Sequence, residues 1–118
     1  MKMSRNELER VDKNWGYELV IANKPAYCGK LLHFFKGKKC SLHFHVKKDE
    51  TFFLQAGRLR ILLRHSDGRD EAIVLEPGDS MRITPGLMHQ MEGLEESDLF
   101  EFSTQHFDDD AYRVARGD

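Results

Sequence analysis

Three histidines and one glutamate in the chain have the residue types and spacing of a metal site. His43 and His45 stand two positions apart in an alternating apolar segment. In a β-strand such positions project from the same face, about 7 Å apart, so both imidazoles can approach one ion. Glu50 follows five positions after His45, and the polar residues between them can turn a corner that brings its carboxylate back inward. His89 opens a later predicted strand and supplies a third imidazole.

Three imidazoles and one carboxylate form a ligand set suited to Fe(II), Mn(II), Ni(II), Cu(II) or Zn(II). Four protein ligands around an octahedral metal leave two positions for water or for a bidentate oxygen substrate. Such an open site indicates catalysis or ligand binding. The alternative is that each histidine is a hydrogen-bonded core residue, since a His-x-His pair arises by chance in many chains. The complete spacing, including the flanking glycines, is far harder to obtain by chance.

Short strands must position these residues. From about Trp15 onward, short apolar or alternating runs recur between turn signals, which predicts an all-β chain. Many short strands favour a sandwich or small barrel, because a flat sheet would expose its edges and an apolar face. The predicted strands are Gly16 to Ile21, Lys30 to Phe35, Ser41 to His45, Thr51 to Ala56, Arg58 to Arg64, Glu71 to Leu75, Ser80 to Ile83, His89 to Glu92 and Leu99 to Ser103.

The two ends have a different pattern. Residues Ser4 to Lys13 are charged, with Leu8 and Val11 three apart, which predicts a short helix or a loose arm. Near the other end, the run Asp108-Asp109-Asp110 predicts the start of a short C-terminal helix, because acidic side chains suit the positive end of a helix. A metal-binding role for this run is less favoured, since consecutive aspartates cannot all turn to one ion.

Length and composition limit the remaining choices. The 118 residues, 13.8 kDa, predict one domain over residues 1–118 with a barrel core over about 15–104. A formal net charge of −2 provides no bulk attraction to nucleic acid or to an anionic membrane. No apolar run is long enough to span a bilayer and the N-terminus lacks a signal-peptide core, so we expect a cytoplasmic protein. Cys28 and Cys40 form no CxxC pair and are expected to be reduced and buried.

The spacing of the candidate ligands resembles that of the cupin superfamily. The first cupin motif, G(x)5HxH(x)3–4E(x)6G, is met at every position by Gly37, His43, His45, Glu50 and Gly57. The second motif, G(x)5PxG(x)2H(x)3N, is met in part, and the resemblance extends over roughly residues 15–104. Gly78, Gly86 and His89 match this second motif, whereas Thr84 replaces its proline and Gly93 its asparagine.

This resemblance implies a fold, a cofactor and an assembly. The fold is an all-β double-stranded β-helix, a jelly-roll barrel, to which the ends add a short N-terminal arm and a short C-terminal helix. The cofactor is one divalent transition metal (Fe, Mn, Ni or Zn), bound by His43, His45, Glu50 and His89. The assembly is often a homodimer.

Adjacent aromatic residues also favour a homodimer. In Phe34-Phe35 and Phe52-Phe53, one ring lies on each face of a predicted strand. A second subunit or the other sheet must then cover the ring that faces away from the barrel interior.

Secondary signals are similar to those of phosphomannose-isomerase-like and lyxose-isomerase-like cupins. They are Trp15-Gly16-Tyr17-Glu18, the strand that begins at Lys30, Ser41-Leu42-His43-x-His45, and Phe100-Glu101-Phe102-Ser103-Thr104. This similarity implies a small-molecule carbohydrate substrate and a sugar or sugar-phosphate isomerase.

Interconverting an aldose and a ketose requires removal of a proton beside a carbonyl, and a divalent metal stabilises the resulting enediolate. Glu101 is the candidate catalytic base. Apolar neighbours in its strand would partly desolvate an inward Glu101 and raise its pKa toward neutrality. An outward, solvated Glu101 is the alternative, which side-chain parity cannot decide.

Three further residues are candidates for substrate binding. Lys30 offers a cation for a phosphate or carboxylate, although a lysine at a strand start is often solvated. Arg60 and Gln90 would hydrogen-bond sugar hydroxyls if they point inward. The lysines that flank the first motif are expected to form a solvated rim: Lys36, Lys38, Lys39, Lys47 and Lys48.

Two other functions fit the same ligands. An iron-dependent dioxygenase would use Fe(II) and the two open positions for a small oxygen-rich substrate and O2. A non-catalytic small-molecule-binding cupin would keep the metal site but have no inward acid or base beside it.

Overall fold

The computed structural model describes residues 1–118, which form two antiparallel β-sheets. A 3-10 turn at Arg5–Glu7 precedes the first strand, and no helix is long and apolar enough to cross a membrane. The strands are β1 Glu9–Lys13, β2 Gly16–Asn23, β3 Cys28–Phe34, β4 Leu42–Phe44, β5 Glu50–Ala56, β6 Leu59–Arg64, β7 Asp70–Leu75, β8 Ser80–Ile83, β9 Met88–Gly93, β10 Ser97–Ser103 and β11 Tyr112–Ala115.

The two sheets face each other around an apolar core. One sheet has the order β1-β2-β3-β10-β5-β8 and the other the order β11-β4-β9-β6-β7. Burial alternates along β3, β6 and β9, as expected for strands with one face toward the core. The predicted all-β jelly-roll barrel is confirmed. Among its most buried side chains are Phe34, Phe52, Leu54, Leu59, Ile61, Ile83 and Leu99.

All nine predicted strands are present, with boundaries that differ by a few residues. The β10 strand, for example, begins at Ser97 rather than at Leu99. Cys28 and Cys40 are free and buried, as predicted, and burial raises the pKa of the Cys40 thiol to about 12.

The N-terminal prediction was wrong over residues 9–13. These residues form β1, which pairs antiparallel with β2 from Glu9 opposite Val20 to Lys13 opposite Gly16. The charged sequence hid the strand because β1 lies at the edge of its sheet, where both faces are largely exposed and charge is tolerated.

The predicted C-terminal helix was also wrong. Residues Tyr112–Ala115 form β11, which pairs with β4 at the edge of the five-stranded sheet. Asp110 does not cap a helix. Its carboxylate accepts hydrogen bonds from backbone N–H groups of another segment, which the local sequence could not indicate.

Candidate metal centre

Two neighbouring strands of the five-stranded sheet bring the three histidines together. His43 lies on β4, His45 follows that strand directly, and His89 lies on β9 opposite His43. One ligand atom from each ring lies within 4.8 Å of the others. This separation allows all three rings to bind a single ion.

Backbone carbonyls fix the orientation of all three rings. Nδ1 of His43 lies 2.8 Å from the carbonyl oxygen of Ser41, Nδ1 of His45 2.7 Å from that of Asp110, and Nδ1 of His89 2.9 Å from that of Leu87. A carbonyl oxygen can only accept, so each Nδ1–H donates. In a neutral ring this leaves the lone pair on Nε2, the atom available to a metal.

Glu50 completes the cluster from the opposite sheet. It is the first residue of β5, is only 2% exposed, and places Oε2 3.5 Å from Nε2 of His45 and 3.3 Å from Nε2 of His89. Oε2 of Glu50 and Nε2 of His89 are buried and have no hydrogen-bond partner. Buried polar atoms without partners are costly, and a cation between them would satisfy both. The donor set therefore fits a divalent transition metal.

Burial sets the protonation of these ligands. It lowers the pKa of His43 to about 4, with a further contribution from neighbouring His89, and it also lowers the pKa values of His45 and His89. The rings are therefore neutral at physiological pH, which is the form that binds metals. Burial, followed by the nearby Glu101 carboxylate, raises the pKa of Glu50 to about 8. A bound cation would favour the ionised carboxylate.

Glu101 faces the same interior. It lies on β10, is 4% exposed, and receives hydrogen bonds from Nζ of Lys48 at 3.0 Å and from Oγ of Ser103 at 3.2 Å. The predicted rise in its pKa was wrong. Burial alone would raise the pKa of Glu101, but the ammonium groups of Lys48 and Lys30 outweigh burial and lower it.

Lys48 was wrongly predicted to belong to a solvated rim. It is 2% exposed, and the carboxylate of Glu101 outweighs the effect of burial and raises its pKa. One signal was present in the sequence, because Lys48 precedes the candidate ligand Glu50 by two positions, the spacing of residues on one face of a strand. The other four flanking lysines are exposed, as expected.

Lys30 and His106 also line the interior. Lys30 is 4% exposed and lies opposite Glu101 in the β3–β10 register, and its ammonium group forms no hydrogen bond or ion pair within the protein. Sequence reasoning found no partner for His106. In the structure its Nε2 lies 3.0 Å from Asp108, whereas its Nδ1 is buried without a partner.

Two predicted substrate-binding residues point away from this cavity. Arg60 is exposed on β6 and lies 3.9 Å from Glu92 on the outer face of the sheet. Gln90 donates a 2.8 Å hydrogen bond to the carbonyl oxygen of Cys40. Because side chains alternate along a strand, the inward position of His89 directs Gln90 outward. These two predictions were wrong.

The candidate ligands lie in one open cavity of about 1640 Å³ between the two sheets. This exceeds the roughly 300–1,000 Å³ of a typical small-molecule pocket. The cavity wall includes both polar and apolar side chains, so it can exclude water around part of a ligand and still bind polar groups. Its polar members include Lys30, His43, His45, Lys48, Glu50, His89, Glu101 and His106.

Comparisons with known proteins support this architecture. No protein-family model matches the chain. A curated relative, the D-lyxose/D-mannose isomerase of Thermosediminibacter oceani, is 26% identical over 122 residues, which cover 84% of this chain and 67% of the relative.

Two solved proteins have similar folds. Oxalate decarboxylase from Bacillus subtilis matches with a TM-score of 0.82 and 18% identity, over 95% of this chain and 31% of that chain. The capsular polysaccharide assembling protein CapF from Staphylococcus aureus matches with a TM-score of 0.81 and 19% identity, over 92% of this chain and 34% of that chain. The chain spans about a third of the length of both solved chains. A further structure of the decarboxylase concerns its Mn(II) centres.

The two sheets and these likenesses show that the chain has the cupin fold. Within this fold it holds a cluster of three histidines, and it has a distant sugar-isomerase relative.

Proposed function

We propose that this protein is a divalent-metal-dependent isomerase of sugars or sugar phosphates. The observation that carries the proposal is the buried Lys48–Glu101 pair in the same cavity as four convergent metal-ligand candidates. The likeness to a D-lyxose/D-mannose isomerase supports the same reaction class.

His43, His45, His89 and Glu50 would hold one cation of manganese, iron, nickel or zinc. When bound, such a cation supplies the Lewis acidity that makes a C–H beside a carbonyl acidic. The Mn(II) centres of a protein with the same fold are consistent with manganese.

Glu101 would carry the proton between the two carbons. Its lowered pKa keeps the carboxylate ionised but makes it a weaker base, so it can accept a proton from the carbon beside the carbonyl, and return it to the neighbouring carbon, only where a bound cation makes that C–H acidic. Lys48 positions this carboxylate through the 3.0 Å hydrogen bond. In the aldose-to-ketose direction the C2 proton moves to C1 and the proton of the C2 hydroxyl moves to the C1 oxygen, so the product is an isomer and no external oxidant is needed.

Lys30 and His106 would bind the rest of the substrate. Lys30 lies beside Glu101, but its ammonium group makes no direct ion pair, so it can still bind a phosphate or carboxylate of the substrate. The Nε2–H of His106 donates to Asp108, which leaves the Nδ1 lone pair of the neutral ring to accept from a sugar hydroxyl. Burial lowers the pKa of His106 and favours that neutral ring.

The proposal is tested by hydrogen exchange at carbon. Mn(II)-loaded protein is incubated in D2O with a panel of aldoses and aldose phosphates, and C2 deuteration is measured by NMR. We expect deuteration of at least one sugar by the wild type and its loss in Glu101→Gln, which retains Mn(II) binding. Glu92→Gln on the outer face of β9 is the matched control and should keep activity.

The absence of deuterium at C2 of every sugar tested would contradict the isomerase. Equal exchange by Glu101→Gln and the wild type would contradict the role of Glu101 as its base. Oxygen uptake with catechols, thiols or diketones would instead support an iron-dependent dioxygenase, and metal binding with neither activity would support a binding protein.

A further inference from the structure

Asp110 connects the C-terminal segment, residues 104–118, to the loop that follows β4. Its carboxylate accepts hydrogen bonds from three consecutive backbone N–H groups, those of Val46 at 2.9 Å, Lys47 at 3.1 Å and Lys48 at 3.1 Å. Asp110 is 2% exposed, whereas the preceding Asp109 is exposed. Hydrogen bonds to an ionised carboxylate are stronger than neutral ones, so this contact fixes the course of the loop.

The main chain of the same residue contacts a metal-ligand candidate. The carbonyl oxygen of Asp110 accepts the 2.7 Å hydrogen bond from Nδ1 of His45. The loop held by its carboxylate also carries Lys48, whose ammonium group binds Glu101. Asp110 therefore acts on both a ligand ring and the buried ion pair, although it touches neither the cavity nor any reacting atom.

The segment that carries Asp110 is otherwise held mainly by hydrogen bonds, including those of Asn23 to the backbone of His106 and of Lys39 to Asp118. β11 is an edge strand that pairs only with β4, and all four of its residues are exposed. The ring of Tyr112 stacks on Phe44 at 5.2 Å, but little apolar surface supports the rest of the strand. Elements with few buried contacts open locally at low free-energy cost. The C-terminal segment can thus be docked or undocked while the barrel stays folded.

We propose that Asp110 is a positioning residue that couples docking of the C-terminal segment to metal binding. When the segment is docked, it orients the His45 ring and fixes the loop that carries Lys48. When the segment undocks, neither is held. Because binding free energies are linked reciprocally, metal binding must stabilise the docked segment by the same factor by which docking strengthens metal binding. This inference rests on the metal site of the proposed function and is independent of the reaction catalysed.

The first test measures metal affinity. Apo full-length protein is titrated with Mn(II) in competition with a chelator. Asp110→Ala keeps the carbonyl oxygen that orients His45 but removes the carboxylate that docks it. Loss of a group that orients a metal ligand typically weakens binding by about 10- to 100-fold, which is the loss expected if this variant undocks the carbonyl. Asp110→Asn retains one acceptor oxygen and should fall between this variant and the wild type. Asp109→Ala removes a neighbouring exposed carboxylate and should bind Mn(II) like the wild type.

The second test reports on geometry and docking. The Co(II) absorption spectrum should change in the Asp110 variants, since the His45 ring is no longer held, and should be unchanged in Asp109→Ala. Hydrogen exchange of the full chain, with and without Mn(II), should show slower exchange at residues 46–48 and 112–115 when metal is added. This measurement uses the wild type and stands even if Asp110→Ala does not fold.

The outcomes separate the inference from the proposed function. Mn(II) binding that leaves exchange at residues 112–115 unchanged would overturn the coupling, as would equal affinity of the Asp110→Asn variant and the wild type. If the wild type binds none of Mn(II), Co(II) and Zn(II), the metal site and the coupling both fail. If coupling is observed but no sugar exchanges deuterium, only the isomerase proposal fails.

Discussion

Lys48 and Glu101 illustrate how a single residue pair can place charge inside an apolar barrel. Each side chain is almost fully buried, and each is the principal counter-ion of the other. Breaking a buried pair by removing one partner is strongly destabilising, because the remaining charge is left uncompensated. The pair therefore has a stability effect that can be measured apart from catalysis.

The variant Lys48→Met should be destabilised by about 3–5 kcal/mol, the usual effect of stranding a buried charge. Urea unfolding of the metal-free protein measures this free energy. The double variant Lys48→Met/Glu101→Gln should recover much of the loss, and Lys38→Met at an exposed site should change stability by no more than about 0.5 kcal/mol. Equal stability of Lys48→Met and the wild type would show that Glu101 does not need this partner.

A second charged cluster predicts a pH dependence of stability. Nδ1 of His33 lies 2.8 Å from Asp98, and Nε2 lies 3.1 Å from Glu96. Burial alone would lower the pKa of His33, but the hydrogen bonds to these two carboxylates outweigh burial and raise it above 6.5. A histidine whose pKa is higher in the folded than in the unfolded state stabilises the fold. This stabilisation is complete at a pH below the unfolded-state pKa and is lost as the pH rises through the folded-state pKa.

The variant His33→Gln should therefore lose more stability at about pH 5.5 than at about pH 8.5. Because the carboxylates are largely exposed, the pH-dependent part should stay below about 1 kcal/mol. Urea unfolding of both proteins at the two pH values measures it. A larger loss at the higher pH would contradict the raised pKa.

Residue spacing predicted the three histidines and Glu50 as one cluster, because the motif encodes a recurring geometry. It did not predict the burial of Lys48, since that depends on Glu101, which lies 53 positions away in the chain. Spacing alone does not orient Arg60, whereas the inward position of His89 directs its neighbour Gln90 outward.

Among the elements, the turn between β5 and β6 depends on a glycine. Gly57, the last residue of the first motif, has a φ of +92°, and a Cβ atom there would overlap the carbonyl oxygen of Glu96. Both the backbone conformation and the close approach exclude a side chain. The motif glycine is thus explained by backbone packing rather than by chemistry.

The variant Gly57→Ala should be destabilised by more than about 2 kcal/mol, because it adds a steric clash to the left-handed backbone penalty. Gly68 provides the control, since its φ is +86° and nothing lies within 4 Å of the position that a Cβ atom would take there. The free energy of unfolding of Gly68→Ala should fall by only about 1–2 kcal/mol, the cost of the left-handed backbone conformation. Thermal or urea unfolding compares the two, and equal losses would contradict the role of the contact with Glu96.

The nine strands from β2 to β10 were predictable because alternating apolar residues and turn residues agree there. The first and last strands, β1 and β11, were not. β1 has the charged sequence of an edge, and the acidic run before β11 resembles a helix start. Strand pairing decides both elements and overrides local propensity: β1 pairs with the adjacent β2 in a hairpin, and β11 pairs with the distant β4.

At the scale of the whole molecule, the outer face of the six-stranded sheet carries an apolar stripe. The β-sheet register aligns Phe100 with Leu31 on one side and with Phe53 on the other. Phe102 stacks beside Phe100 with ring centroids 6.2 Å apart and is 57% exposed. A continuous apolar stripe across neighbouring strands is the kind of surface that a second subunit buries, so the homodimer remains our prediction.

Sedimentation velocity should find the wild type as a dimer and Phe102→Asp as a monomer, because a charge on this exposed part of the stripe opposes its burial. Val74→Asp, on the other sheet, is the matched control with 42% exposure and should remain dimeric. A monomeric wild type, or a dimer unaffected by Phe102→Asp, would contradict an interface on this face.

Backbone carbonyl oxygens, not side chains, accept the Nδ1–H of the three imidazoles, and this affects which substitutions the protein tolerates. Every peptide unit carries such an oxygen whatever its side chain, so exchanging Ser41 or Leu87 for another residue leaves the ring tautomers of His43 and His89 unaltered. A mutation can change those tautomers only if it changes the conformation of the main chain. Related sequences can therefore differ at positions 41 and 87 and still present the Nε2 lone pairs of His43 and His89.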